Sequence, residues 1–172
     1  MIRQAMLLAF IAICGIAAAH HDSSWPLQTG NDAESYAAVA TVSQLSQASI
    51  LDEYATKEVY PRLIFQCSPG QGDRVHAKID WQRFISSFNT DLNFQVDSEK
   101  RLWLKFGVDS SNKITLAKSA EDSSTLIEYV ANASILTVGV TPYSESAVSV
   151  TYDLSGFSEA IEALRSKCAG SQ

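Results

Sequence analysis

Three carboxylates are the side chains best suited to hydrolytic chemistry in this sequence: Asp80, Glu145 and Asp153. A hydrolase that attacks cell-wall glycan needs two carboxylates at a defined separation. Spacing along a chain does not fix that separation, and two of the acids have simpler structural interpretations. Asp80 precedes a predicted turn, and Asp153 ends a predicted strand. A cell-wall (peptidoglycan) hydrolase is therefore the alternative to a protein without catalytic activity.

Histidine is scarce, with only His20, His21 and His76. If an exported chain began at His20, its terminal amine and imidazole would hold copper once a second imidazole completed the site. The simpler interpretation is a polar chain terminus and a solvated His76 beside Lys78 and Asp80. We predict no metal and no cofactor, and keep a periplasmic copper-binding protein as the further alternative.

The motifs of common catalytic sites are missing or incomplete. The tetrad SSNK at 110–113 fits the SxxK pattern of penicillin-binding serine enzymes, but it lies in a predicted turn and lacks the SDN and KTG companions. The sequence has no GxSxG elbow, HExxH pair, CxxC pair or glycine-rich phosphate loop. We therefore predict no catalytic residues.

The first twenty residues, MIRQAMLLAFIAICGIAAAH, have the features of a cleavable secretory signal. Arg3 supplies the positive charge, residues 6–16 the apolar run, and Ala17 to Ala19 the small residues that a signal peptidase prefers. The apolar run is shorter than the roughly 20 residues of a membrane span. We predict a signal peptide at 1–19 and a periplasmic protein without a transmembrane segment in its mature chain.

Composition indicates one globular domain and disfavours a nucleic-acid partner. The chain has 172 residues, of which 46% are apolar and 19% charged, so it is long enough to bury a core. Its net charge is -6 and its pI is about 5.0, without a basic stripe. Nucleic-acid binding proteins normally carry such a stripe, so we expect no nucleic acid.

The cysteines predict one disulfide. Cys14 lies in the leader, where Ile13 before it argues against lipid attachment, so Cys67 and Cys168 remain after export. An even pair in an oxidising compartment predicts a bridge. Cys67 lies on the apolar side of a predicted strand and Cys168 on the apolar face of a predicted helix, so both point inward. The alternative is two buried free thiols.

Hydrophobic periodicity predicts an α+β protein. Residues 22–35 are polar and broken by Pro26 and Gly30, which indicates a loose lead-in, and residues 36–58 are ambiguous between strand and helix. Alternating segments predict turn-connected antiparallel strands at 60–67, 75–81, 92–96, 101–108, 114–118, 135–143 and 147–153.

Helical spacing predicts a short turn at 81–88 capped by Asp80, a helix over 123–132 capped before Glu128, and a C-terminal helix capped by Ser155. We expect an antiparallel sheet or sandwich with two packed helices, of which the C-terminal one is tethered by the disulfide.

The segment RLWLKF at 101–106 predicts a binding surface. Its apolar residues alternate onto one face of a strand. The opposite face carries one aromatic ring between two cations: Arg101, Trp103 and Lys105. An outward tryptophan flanked by cations is typical of a partner-binding surface. The alternative is that a helix covers this face and buries Trp103 in the core.

The run TPYSESAVSVTYDLSGFSEAIEALRSKC at 141–168 resembles the closing segment of the VasI/TagO family of type VI secretion-associated proteins. In that family a Thr-Pro-Tyr-Gly-Glu-Ser hairpin leads into an aspartate, a Leu-Ser-Gly corner, a helix and a cysteine. Upstream, PRLIFQC and AKIDWQRFI resemble the family's strand, cysteine and Ile-Asp-Trp segment, and RLWLKF stands where the family has its aromatic strand. Ser144 replaces the usual glycine, and residues 22–58 match poorly.

The resemblance implies a periplasmic accessory protein of the contractile secretion machinery of Gram-negative bacteria, and it implies no catalytic residue. We expect a signal peptide at 1–19, a poorly defined lead-in at 20–58 and a VasI/TagO-like domain at 59–172. The predicted function is association with type VI secretion through binding of a protein or cell-envelope partner, with the secretion machinery among the candidates.

Overall fold

The computed structural model describes residues 25–32, 36–70 and 74–170, which form eleven strands and two helices. The strands are β1 (Leu27–Asn31), β2 (Ala38–Leu45), β3 (Ile50–Leu51), β4 (Glu58–Val59), β5 (Arg62–Cys67), β6 (His76–Asp80), β7 (Thr90–Val96), β8 (Leu102–Val108), β9 (Ile114–Ala117), β10 (Ile135–Val140) and β11 (Val148–Asp153). The helices are α1 (Ala120–Val130) and α2 (Phe157–Ala169). The predicted leader, His20 and His21 lie outside the described residues.

Nine strands form one antiparallel sheet in the order β1-β2-β5-β6-β9-β8-β7-β10-β11, and β3 pairs with β4 in a separate hairpin. The predicted α+β class, with two helices and an antiparallel sheet, is confirmed. Each of the predicted strands after residue 60 is present. Among the described residues, no helix has both the length and the hydropathy to cross a membrane.

One face of the sheet holds the core because the strands alternate between apolar and polar residues. In β5, Leu63, Phe65 and Cys67 are buried, and in β6 Ala77 and Ile79 are buried. Burying one such large apolar side chain stabilises the fold by about 1.5 to 3 kcal/mol. A register slip of one residue would turn all of them outward, so the pairing is strongly specified. We call the buried face the inner face and the opposite one the outer face.

The two ends of the sheet approach each other and enclose the core. Trp25 is buried, and its Nε1 donates to the carbonyl of Asp153 in β11 at 3.2 Å. Its ring centroid lies 5.0 Å from that of Phe157 in α2 and 6.1 Å from that of Phe65 in β5. Trp25, Phe65 and Phe157 therefore form one aromatic cluster, and the Trp25 hydrogen bond joins it to the end of β11.

Helix α2 closes the inner face and carries the predicted disulfide, which is confirmed. Its apolar stripe, including Ile161, Leu164 and Cys168, is buried against the sheet. Cys168 is bonded to Cys67, with the two Cα atoms 6.0 Å apart. The predicted Ser155 cap is wrong: the residue before the helix is Gly156 in a left-handed conformation (φ 77°), a region that favours glycine.

Helix α1 begins three residues earlier than predicted. Its N-cap is Ser119, whose hydroxyl accepts from the backbone N–H of Asp122 at 3.0 Å, so the cap predicted just before Glu128 is wrong. Leu126, Ile127 and Val130 face the core. Ser123, in the first turn of the helix, is also buried, and its hydroxyl accepts from the N–H of Ala77 in β6 at 3.0 Å.

Two further expectations are corrected. The loose lead-in at 22–35 includes strand β1, and the ambiguous stretch that follows it contains strand β2, which pairs with both β1 and β5. The helical turn predicted at 81–88 is irregular. Gln82 has φ 57°, and the N–H groups of Trp81 and Ile85 donate to the carbonyls of Lys113 and Asn112 in a neighbouring turn.

Candidate functional site

Trp103 lies on the outer face of β8 and is 59% exposed. The buried residues of both helices belong to the core on the inner face, so the alternative in which a helix covers Trp103 does not apply. Arg101 and Lys105 on either side of it are also exposed. The three residues predicted to bind a partner therefore form one accessible row along the strand.

The row across the strands is polar. Trp103 stands opposite Asn93 in β7, Asn93 stands opposite Gly139 in β10, and Gly139 stands opposite Ser149 in β11. A Cβ atom at Gly139 would lie 2.5 Å from Nδ2 of Asn93, so a larger residue there would require the Asn93 side chain to move. The Asn93 side chain leans over β10, on the side of β7 away from Trp103 in β8.

The two cations that flank Trp103 along the chain make only weak contacts with side chains of β7. Nζ of Lys105 lies 3.9 Å from Oδ1 of Asp91, and both side chains are mostly exposed, so the pair contributes little stability. Nε of Arg101 donates to Oε1 of Gln95 at 3.2 Å, a neutral partner. Neither cation is firmly neutralised. We call Asp91, Asn93, Gln95, Arg101, Trp103 and Lys105 together the Trp103 face.

The carboxylates considered for hydrolysis each have a local structural partner. Oδ1 of Asp80 accepts from the N–H of Gln82 at 2.9 Å, and Glu145 pairs with Arg83. Oδ1 of Asp153 accepts from the N–H of Ser155 at 2.8 Å, and hydrogen bonds from Ser155 hold the pKa of Asp153 below its usual value. A general acid at neutral pH needs a raised pKa, so the shift at Asp153 is in the opposite direction.

His76, the histidine considered for copper, lies at the exposed start of β6. In the parts of the chain that the structure describes, no three His, Cys, Asp or Glu side chains cluster as metal ligands would. The other two histidines of that hypothesis lie outside those parts.

A buried arginine that the sequence did not single out joins the loops at one end of the sheet. Arg83 is only 3% exposed, its Nη1 donates to the carbonyl of Leu51 at 2.8 Å, and its Nη2 lies 2.5 Å from Oε2 of Glu145. The N–H of Tyr143 donates to the carbonyl of Ile85 at 2.8 Å. These contacts bring together IDWQRF and TPYSES, two segments that carried the family resemblance. Their presence in the same resemblance was the one sequence signal that could have pointed to Arg83 and Glu145.

Exposed aromatic residues also lie outside the Trp103 face. Tyr54, Phe88 and Tyr143 are largely exposed in the loops at the end where Arg83 lies. They do not lie within a strand of the large sheet, in contrast to Trp103. Phe88 therefore provides a matched control for substitutions of Trp103.

No family model, no curated protein and no solved structure matches this chain.

Proposed function

We propose that this protein is a periplasmic accessory protein, associated with type VI secretion, that binds a protein or cell-envelope partner and does not catalyse a reaction. The exposed Trp103 between Arg101 and Lys105 is the observation that carries the proposal. Binding surfaces are enriched in tryptophan and arginine, and a few such residues supply most of the binding free energy.

Export is supported by two independent features. The leader has the charge, apolar run and small residues of a signal peptide. The Cys67–Cys168 disulfide suits an oxidising compartment, since disulfides are rare where thiols are kept reduced. The association with type VI secretion rests on the resemblance of residues 59–168 to the VasI/TagO family.

The magnitude expected for Trp103 follows from its size. A tryptophan side chain covered by a partner commonly contributes 2 kcal/mol or more, as an order-of-magnitude figure for such anchors. A loss of about 2.7 kcal/mol corresponds to roughly a hundredfold weaker binding. Trp103→Ala should therefore abolish capture of the partner at moderate concentrations. The fold should persist, because Trp103 is not part of the core.

In-cell photocrosslinking tests the proposal. A benzophenone side chain replaces Lys105, next to an intact Trp103, in bacteria that export the protein. We expect an adduct that disappears when Trp103→Ala is added, and no adduct when the benzophenone replaces Phe88. Absence of any adduct at position 105, or an adduct that survives Trp103→Ala, would contradict the proposal.

A further inference from the structure

We infer that the Trp103 face binds a cell-wall polysaccharide whose sugars carry N-acetyl and carboxylate groups. The inference rests on the proposed function and names the chemistry of its partner. It follows from three properties of this face: the polar surroundings of Trp103, the length of the row across four strands, and the placement of the two cations.

The surroundings of Trp103 do not resemble the centre of a protein interface. Such centres are apolar and poor in charged residues. Every other residue of the Trp103 face has a polar or charged side chain: Asp91, Asn93, Gln95, Arg101 and Lys105. A sugar ring has the complementary distribution, since one C–H face packs on an aromatic ring while its hydroxyl groups, at the ring edge, form hydrogen bonds to side chains beside that ring.

The row from Trp103 to Ser149 is long enough to contact more than one sugar. It crosses β8, β7, β10 and β11, which are successive neighbours in the sheet. Three interstrand spacings amount to about 14 Å, more than one sugar ring needs. Gly139 contributes no side chain to this row, and Asn93 leans over it. The Asn93 amide lies farther along this row than the indole, over β10, and offers one acceptor and two donor hydrogens, which match an N-acetyl group or neighbouring hydroxyls.

The cations favour a ligand that carries carboxylates. Arg101 and Lys105 lie two residues before and after Trp103, which places each about 6.6 Å along the strand from it. The chain as a whole has a net charge of -6, so this pair is a local departure from its acidic character. The Nε of Arg101 donates to Gln95, and its two terminal nitrogens, which have no hydrogen-bond partner among the described residues, can make a bidentate contact with a carboxylate.

Co-sedimentation of the purified, disulfide-bonded protein with insoluble glycans tests the inference. The probes are peptidoglycan sacculi freed of proteins, chitin as an N-acetylated chain without carboxylates, and cellulose as a chain with neither group. We expect saturable binding to sacculi, weaker binding to chitin and the weakest to cellulose.

The variants separate the contributions of the ring and of the charges. Trp103→Ala should weaken binding to sacculi at least tenfold, whereas Phe88→Ala should bind as the unmodified protein does. The double variant Arg101→Gln/Lys105→Gln should weaken binding to sacculi several-fold and leave binding to chitin unchanged.

Three results would overturn the inference: no sedimentation with sacculi, equal sedimentation of the unmodified protein and Trp103→Ala, or equal binding to the three glycans. The proposed function is judged separately by the crosslink at position 105. A protein adduct at that position without binding to sacculi would leave the proposed function standing and refute the glycan as partner. Loss of both would refute both.

Discussion

Breaking the Cys67–Cys168 bridge should lower the free energy of unfolding by about 4 to 5 kcal/mol. The bridge joins residues 101 apart in sequence. In the chain-entropy model, a closed loop of about 100 residues restricts the unfolded chain by roughly 4.7 kcal/mol, as an upper figure. Typical domains have a total stability of about 5 to 15 kcal/mol, so the reduced protein should be marginally stable.

Urea denaturation of the same protein with and without reductant measures this contribution. Reduction retains both sulfur atoms, so the comparison separates the loss of the bond from the loss of buried volume. The midpoint should fall, and the dependence of the free energy on urea should steepen, because the unbridged chain exposes more surface on unfolding.

The double variant Cys67→Ala/Cys168→Ala is the control, since reductant should not change its unfolding curve. If the oxidised and reduced forms of the unmodified protein unfold at the same urea concentration, the bridge does not stabilise the protein by restricting its unfolded state.

Four further substitutions probe the loops and the binding face. Arg83→Met should cost about 2 to 3 kcal/mol in a urea titration, because it leaves the Leu51 carbonyl and Glu145 without a partner. Lys105→Met, which breaks only the exposed pair with Asp91, should cost less than about 0.5 kcal/mol, and equal costs would show that Arg83 is not structural. Gly139→Ala should cost about 1 kcal/mol, because the end of the Asn93 side chain has to turn away from the new Cβ, and adding Asn93→Ala should recover most of that loss. Strict additivity of these two substitutions, measured in a double-mutant cycle, would mean that their side chains do not interact.

Sequence patterns correctly predicted those strands in which buried and exposed residues alternate. Leu63, Phe65 and Cys67 alternate because one face of β5 is buried, and the same alternation placed Cys67 where Cys168 reaches it. Strand β1 was missed because LQTGN forms an exposed edge without buried alternation. This strand forms because it pairs with β2, and no local sequence pattern predicts that pairing.

The incorrect helix at 81–88 has a different cause. Trp81 and Ile85 are fully buried, so their spacing reports contact with the core and does not identify the backbone conformation. Hydrogen bonds to Lys113 and Asn112 replace the internal bonds that a helix would need. Ser155 was a plausible cap by residue type, but the left-handed Gly156 after it determines how the chain enters α2.

The sequence pointed to the residues of the candidate site but not to the strands and helices that surround them. The alternation of RLWLKF placed Trp103 opposite the apolar residues, yet whether a helix covers that face depends on where α1 and α2 pack. The lateral neighbours Asn93 and Gly139 come from β7 and β10, whose positions beside β8 follow from the sheet order. The pair Arg83–Glu145 spans 62 residues and likewise follows from the tertiary arrangement.

The contact between Trp25 and Asp153 joins the start of the described chain to its last strand, so the fold can be completed only when both are present. These residues are 128 apart, and the last helix packs on strands formed from the first half of the chain. Under the proposed export from the N-terminus, the early strands reach the far side of the membrane while α2 and Cys168 are still on the other side. Cys67 can then be oxidised by its native partner only after Cys168 has crossed, so under that proposal the disulfide forms late in export.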